Sequence, residues 1–180
     1  MPSSDKSFVQ AYNGQAAVDV NTMLIVESHI SQTSNDKKEI QPPLASLNEL
    51  PENLGKIDSI LADTGYYSDN NVAACEQSGM EPYITPNRDK HNPTLTQRFT
   101  NPASLPEDAK PIDKMRQKLK TVNGRKVYAK RKSTVESVFG IIKHILGFRQ
   151  FSLRGVKAVS GEWTLVSMAW NLKRMFTLIS

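Results

Sequence analysis

Apolar residues fall into short runs between turn-formers in the first half of the chain and into helical stripes in the second. Residues 9–31 read as a β-hairpin. One strand runs from Val9 to Val18, Asp19-Val20-Asn21-Thr22 makes a polar turn, and the β-branched run Met23 to Ile30 returns. Asn35 and Asp36 are N-cap candidates for a helix leading toward Leu50, its start blurred by Pro42 and Pro43. Ile57 to Ala62 is a short, nearly continuous apolar run, the pattern of a strand covered on both faces. Ser68 caps a helix over 69–77 that Gly79 ends, and residues 81–86 form another short strand. The alternation predicts an α/β fold, a mixed sheet with flanking helices.

Residues 86–113 change character. Pro86, Pro93, Pro102, Pro106 and Pro111 stand among polar residues, and a loop this long is either functional or unstructured. A short basic helix near 114–120, a turn at Asn123-Gly124 and a long helix around Glu136 follow. The stripe of that helix is Val135, Val138, Phe139, Ile142, Ile145 and Leu146, and Gly147 ends it. A last amphipathic helix over 159–178 carries Trp163, Val166, Ala169, Trp170 and Phe176. The chain thus divides into 1–85, 86–113 and 114–180 within one domain, which suits its 180 residues.

Charge changes the picture more than composition does. Residues 1–109 sum to −8 and residues 110–180 to +13, within a net charge of +5. Between Lys110 and Lys132, ten basic residues face Asp113 alone. A solvated helix face usually interleaves both signs, so this run points to a polyanionic partner, nucleic acid first. The single cysteine, Cys75, excludes an intrachain disulfide and a Cys-rich zinc site and reads as a small buried apolar residue. No run of about 20 apolar residues exists for a membrane span, and the N-terminus has no apolar signal region, so a cytoplasmic protein with no membrane partner is expected.

Two acidic residues stand in unlike contexts. Asp63 closes the apolar run before Thr64-Gly65, where an aspartate is a common turn residue but where sites also gather at strand ends. Glu136 lies in the basic stretch Tyr128 to Lys143. Lys132 and Lys143 sit four residues before it and seven after it, on its helical face, while Arg131 points elsewhere. Ser133-Thr134-Val135-Glu136 also fits a capping box, which would make Glu136 structural unless the helix starts near Tyr128. A strand-end carboxylate and one on a cationic helix suit divalent metal beside a phosphate backbone, with Lys126, Lys130, Arg131, Lys132, Lys143 and Tyr128 as phosphate-binding candidates. Asp19 reads as a turn residue, and His29, His91 and His144 have no ligand-like spacing.

The segments Ala11 to Asp19, Ala62 to Ser68, Tyr128 to Lys143 and Phe148 to Gly155 resemble DDE-type transposases of bacterial insertion sequences. The likeness runs from about Phe8 to Phe176 and is nearest the insertion sequence 1182 group of the insertion-sequence-four-like class. It implies an RNase H-like core in which three carboxylates hold two divalent metals, Mg²⁺ by default or Mn²⁺, for in-line attack on a phosphodiester. Asp63 matches the second catalytic Asp and Glu136 the Glu, both as metal ligands. Tyr128, Lys132 and Lys143 match the tyrosine, basic residue and lysine that accompany that Glu. Lysine stands where arginine is usual, and Tyr128 is one residue further from Glu136 than in the family. The family's first Asp lies on a strand upstream of the hairpin. The expectation is therefore a truncated chain lacking that strand, that Asp and any N-terminal DNA-binding domain, and inactive alone. Its partners would be transposon-end and target DNA, a second copy, or full-length transposase. The alternatives are a non-catalytic DNA- or transposase-binding product and an RNase H-like nuclease.

Overall fold

A computed structural model describes residues 11–33, 35–87, 94, 96 and 99–180. Strands β1 (Asn13–Val18) and β2 (Ile25–Ser31) are followed by α1 (Gln41–Asn48), β3 (Ser59–Ala62), α2 (Asp69–Gln77) and β4 (Glu81–Ile84). Then come α3 (Pro111–Lys120), α4 (Val122–Arg131), a π turn (Lys132–Glu136), α5 (Ser137–His144) and α6 (Val156–Ile179). The α/β character read from the sequence is present, but among the described residues the strands form two separate two-stranded sheets and not the one mixed sheet expected. Expectations on Asp5, Val9, Gln10, His91 and Pro93 lie outside the described residues. Among those described, no helix is long and apolar enough to cross a membrane. The chain forms two compact units, Met1–Leu47 with Lys132–Ser180, and Asn48–Arg131.

In the first unit β1 and β2 pair antiparallel, Asn13 opposite Ser31 and Ala17 opposite Glu27. Asp19 closes the hairpin by accepting from the Thr22 amide at 2.7 Å and the Thr22 hydroxyl at 2.5 Å, the turn role expected of it. Helix α6 then fastens to the hairpin backbone. The Trp163 indole donates to the Gln15 carbonyl and the Trp170 indole to the Met23 carbonyl, both at 2.8 Å. The Asn171 amide bonds both the N–H and the C=O of Ile25 at 2.8 Å, as a neighbouring strand would. Ile25, Val138, Ile142, Trp163 and Trp170 form the core, with Phe139, Phe148 and Phe151 against it.

Pro42 and Pro43 do not delay the helix but lie in the first turn of α1, where a missing N–H costs nothing. The stripe of α5 is narrower than its sequence suggests. Val138 and Ile142 are buried, as is Thr134 in the π turn rather than Val135, while Ile145 and Leu146 are exposed.

A polar cluster beside the hairpin gives one pH prediction. His29 meets Glu27 through Nδ1 at 3.0 Å and Glu39 through Nε2 at 3.1 Å. The bond to Glu27, opposed by burial and helped by both carboxylates, raises the His29 pKa. Burial pushes Glu39 up, but bonds from Ser31, Thr33 and His29 outweigh it and leave it lowered. A histidine raised in the folded state stabilises fully below its unfolded pKa of about 6.5 and less as pH climbs through the folded value. The melting temperature of the protein should therefore fall from pH 6 to pH 8. His29→Gln should flatten that slope, and an equal or steeper slope in the variant would remove the pair as its cause.

In the second unit β3 and β4 pair parallel, Ser59 opposite Glu81 and Ala62 opposite Ile84, joined through α2 as a β-α-β crossover. Val72, Cys75, Met80, Tyr83, Ile84 and Met115 are buried. Burial pushes the Cys75 thiol up to about 11, so it behaves as the apolar filler expected. The Pro-rich loop is shorter than its composition suggests, because Pro111 already opens α3 at a position that tolerates proline. The described loop residues before it are tied down: Gln117 donates to the Ala103 carbonyl, Arg125 to that of Thr100 at 3.2 Å, and Val122 N–H to the Asn101 side chain at 2.9 Å. The turn expected at Asn123-Gly124 lies instead at Thr121, and both residues belong to α4.

Candidate functional site

Asp63 stands one residue past the C-terminal end of β3, where backbone pairing stops and a 3-10 turn (Thr64–Tyr66) begins. Its Oδ1 accepts from the Thr64 amide at 2.7 Å, so the turn role weighed for it is real. That bond leaves half of the side chain exposed, and Oδ2 faces the Arg131 guanidinium at 3.6 Å. Asn71, buried on α2, holds the turn from below by donating to the Tyr66 carbonyl at 2.7 Å. Sequence reasoning passed over Asn71; its position just inside the Ser68 cap was the available signal.

Helix α4 supplies the other side of this corner. The Tyr128 hydroxyl donates to the Ala62 carbonyl at 3.4 Å, and Arg131 lies over the Tyr128 ring at 5.7 Å. Tyr128 therefore fixes the strand end that presents Asp63. Arg131, read from helical spacing as pointing away from the chemistry, is the cation beside Asp63. Its side chain is only 15% exposed, so the guanidinium is held in place beside the half-exposed carboxylate. Lys126 and Lys130 are exposed on the same helix.

The basic run is partly spent inside this unit. Lys118 reaches Glu81 at 2.8 Å and the Pro82 carbonyl at 2.8 Å, and lies 4.3 Å from the centre of the Tyr83 ring. Those contacts lower the Glu81 pKa, chiefly through the Lys118 hydrogen bond. Arg116 pairs with Asp113 at 3.1 Å, and Lys114 donates to the Glu107 carbonyl at 2.6 Å. The basic surface on this unit is accordingly narrower than ten residues.

Glu136 belongs to the other unit. It is the last residue of the π turn Lys132–Glu136, and Ser133 lies inside that turn and not ahead of a helix start, so the capping-box alternative does not hold. Its side chain is exposed, as are Lys132 and Lys143. Buried Thr134, Val138 and Ile142 anchor this stretch from the opposite side. His144 is exposed, and His29 is committed to its two glutamates.

Aspartate and glutamate oxygens are the hard donors that Mg²⁺ and Mn²⁺ prefer, so Asp63 and Glu136 fit such a cation chemically. Among the described residues no three His, Cys, Asp or Glu side chains form a metal-holding group. Asp19 spends its Oδ2 on Thr22.

Compared with known families, residues 2–172 match the model described as the transposase DDE domain. No curated protein and no solved structure matches the chain.

Proposed function

The chain belongs to the transposase DDE domain family, and from that premise we propose that it acts on DNA phosphodiesters, with Asp63 and Glu136 as two of the carboxylates that hold divalent metal. The observation that carries this reading is the built corner at Asp63: a half-exposed carboxylate past a strand end, faced by Arg131, with Tyr128 tied to the preceding carbonyl. We read the antiparallel hairpin and the parallel pair as parts of an RNase H-like sheet, and the element as a member of the insertion sequence 1182 group. Acting on chromosomal DNA, the protein would work in the bacterial cytoplasm.

When bound, Mg²⁺, or Mn²⁺ in its place, would neutralise charge on the scissile phosphate and activate the attacking oxygen. The protein's own residues divide the remaining work. Arg131 orients the Asp63 carboxylate. Tyr128 holds the strand end at Ala62. Exposed Lys126, Lys130, Lys132 and Lys143 would grip the DNA backbone.

The one-residue departure at Tyr128 acquires a structural reading. The family pattern puts the tyrosine seven residues and the arginine four before the glutamate, three apart. Here Tyr128 and Arg131 are also three apart, but eight and five residues before Glu136. The extra residue falls within the π turn Lys132–Glu136, whose i→i+5 bonding takes one more residue than an α turn. We therefore give the arginine's role to Arg131 in place of Lys132.

Nicking of supercoiled plasmid in Mn²⁺ or Mg²⁺ tests these assignments together. Asp63→Ala and Glu136→Ala should each slow nicking by more than the roughly 10–100-fold typical of residues that only support metal ligands. Arg131→Ala should cost a factor in that range, Lys132→Ala less, and Asp19→Asn little. A rate that survives Asp63→Ala would sink the site. An unaltered chain that binds DNA yet never nicks would leave a non-catalytic DNA-binding role.

A further inference from the structure

The connection between α5 and α6, residues 147–155, lies at the surface yet is closely built, and the proposed function gives it no role. A glycine in the left-handed region stands at each end, Gly147 at φ 74° and Gly155 at φ 87°, where a side chain would strain the backbone. Between them Phe148 and Phe151 turn inward, meet edge to face at 5.3 Å, and pack on the core that contains Trp163. The backbone amides are spent inside the unit. Phe148 N–H donates to the Ile142 carbonyl at 3.1 Å, and Gly155 N–H to the Tyr12 hydroxyl at 2.9 Å. The Glu162 carboxylate, on the second turn of α6, accepts from Ser152 N–H at 2.9 Å and from Leu153 N–H at 3.1 Å. Those amides, Ser152 first, hold the Glu162 carboxyl below the ordinary glutamate value.

What this loop displays is side chains. Arg149, Gln150, Leu153 and Arg154 are exposed. Residues 137–161 include four Lys or Arg and no Asp or Glu. The next acid in the sequence is Glu162, whose oxygens already serve the loop amides. A surface of this charge fits a polyanion. The spent amides decide how it makes contact. A loop that cradles phosphate does so with free backbone N–H groups, and a carboxylate seated on those groups would repel the anion. Fixed arginine and glutamine side chains match base edges instead. Arginine pairs with guanine O6 and N7, and glutamine with adenine N6 and N7. An exposed leucine suits the thymine methyl group.

We propose that the loop 148–154 reads bases in the major groove of duplex DNA, with Arg149 and Gln150 as specificity-determining residues and Glu162 as the residue that fixes the loop. Arg154 and Lys157 would hold flanking phosphates as point charges. The inference rests on the proposed action on DNA and goes beyond it. Lys126 and Lys130 would grip a DNA backbone whatever its sequence, whereas this loop would choose the site. Rigidity is what the choice requires. Discrimination between bases depends on donors held at fixed positions, and the glycines, the two phenylalanines and the Glu162 clamp supply that order before DNA arrives.

Selection of bound duplexes from a random-sequence DNA library, without divalent metal so that no strand is cut, tests the proposal. The unaltered chain should enrich a short motif. Arg149→Ala should lose the preference at guanine positions and Gln150→Ala at an adenine position, each by about tenfold. Guanines replaced by 7-deazaguanine, which lacks the N7 acceptor, should weaken the unaltered chain and leave Arg149→Ala unaffected. Lys126→Ala should instead weaken binding to every sequence and lower the salt slope by about one. Glu162→Gln removes an acid from a basic surface, yet it should lose the preference while binding to mixed-sequence DNA holds or rises. Circular dichroism checks that each variant is folded. The same motif enriched by Arg149→Ala and Gln150→Ala would overturn the proposal. So would a Glu162→Gln chain that binds all sequences more tightly and keeps its preference, since that marks a phosphate site. A chain that binds and nicks DNA but enriches no motif would sink this inference and spare the proposed function, whereas no DNA binding at all would sink both.

Discussion

Replacing Gly124 by alanine is expected to destabilise the protein by about 3 kcal/mol or more, against the direction that helix propensity predicts. Gly124 is the third residue of α4, and in an open helix Gly→Ala would stabilise by roughly 1 kcal/mol. A Cβ at Gly124, however, would stand 1.9 Å from the Lys118 carbonyl oxygen and 2.9 Å from its carbon, atoms of the backbone of α3. Backbone cannot swing aside as a side chain can, so α4 as a whole must move. The junction it would disrupt is closely wired. The Thr121 hydroxyl donates to the Lys118 carbonyl at 2.8 Å and accepts from the Gly124 amide at 2.9 Å, capping α4 as it leaves α3. Further along α4, Tyr128 reaches Ala62, and Arg131 reaches Asp63. The same substitution should thus lower nicking together with stability, although Gly124 touches no carboxylate. Urea denaturation gives the stability difference. A Gly124→Ala chain as stable as the parent, or more so, would show that the two helices are not locked at this junction.

Glycine at this place illustrates what the sequence conveys and what it hides. Asn123-Gly124 has the look of a turn, and a turn is indeed nearby, but Gly124 is required for a close approach between helices, which only the fold reveals. Elements with a local signature were legible: the hairpin with Asp19 at its turn and α2 between its Ser68 cap and Gly79. β3 was legible as a strand, but its residues Ser59–Ala62 are only half-buried and not covered on both faces as the apolar run suggests. Lys118 was not, because a lysine in a basic run looks like solvent-facing charge until β4 brings Glu81 and the Tyr83 ring beneath it. The site was legible in part for the same reason. Asp63 and Glu136, the two proposed metal ligands, stand out by the motifs that carry the family resemblance. The closeness of Arg131 to Asp63 depends on where β3 and α4 meet, and helical spacing counted from Glu136 misses it. The π turn compounds this, since counting in fours assumes an α-helical path that Lys132–Glu136 does not follow. Helix α6 was legible as amphipathic through its buried tryptophans, but Ala169 and Phe176, read together with them, are exposed.

Trp163→Ala should cost the first unit about 4 kcal/mol, within the 3–5 kcal/mol typical of a buried aromatic cut back to alanine. Trp163 is 3% exposed and gathers most of the local aromatic packing. Phe139 stacks on it at 5.7 Å, Phe148 tilts against it at 6.2 Å, and Phe151 meets it edge-on at 6.3 Å. The Gly14 backbone lies against the indole so closely that a Cβ there would fall 3.3 Å from the ring, so no side chain is available to fill the void. The truncation also leaves the Gln15 carbonyl without its indole donor, adding about 1 kcal/mol or more. Set against a total stability of about 5–15 kcal/mol, the loss is enough to unfold a marginal protein. Trp163→Phe separates the two contributions, since it keeps most of the ring packing and removes only the hydrogen bond, and it should recover more than half of the stability. The effect should reach the chemistry through α5. Phe139, Val138 and Ile142 share the Trp163 core and fix the helix that follows Glu136, so nicking should fall in Trp163→Ala with both carboxylates intact and return in Trp163→Phe. A Trp163→Ala chain that melts within a degree or two of the parent would mean that α6 is held by its polar bonds to the hairpin alone, and that the aromatic cluster contributes packing without stability.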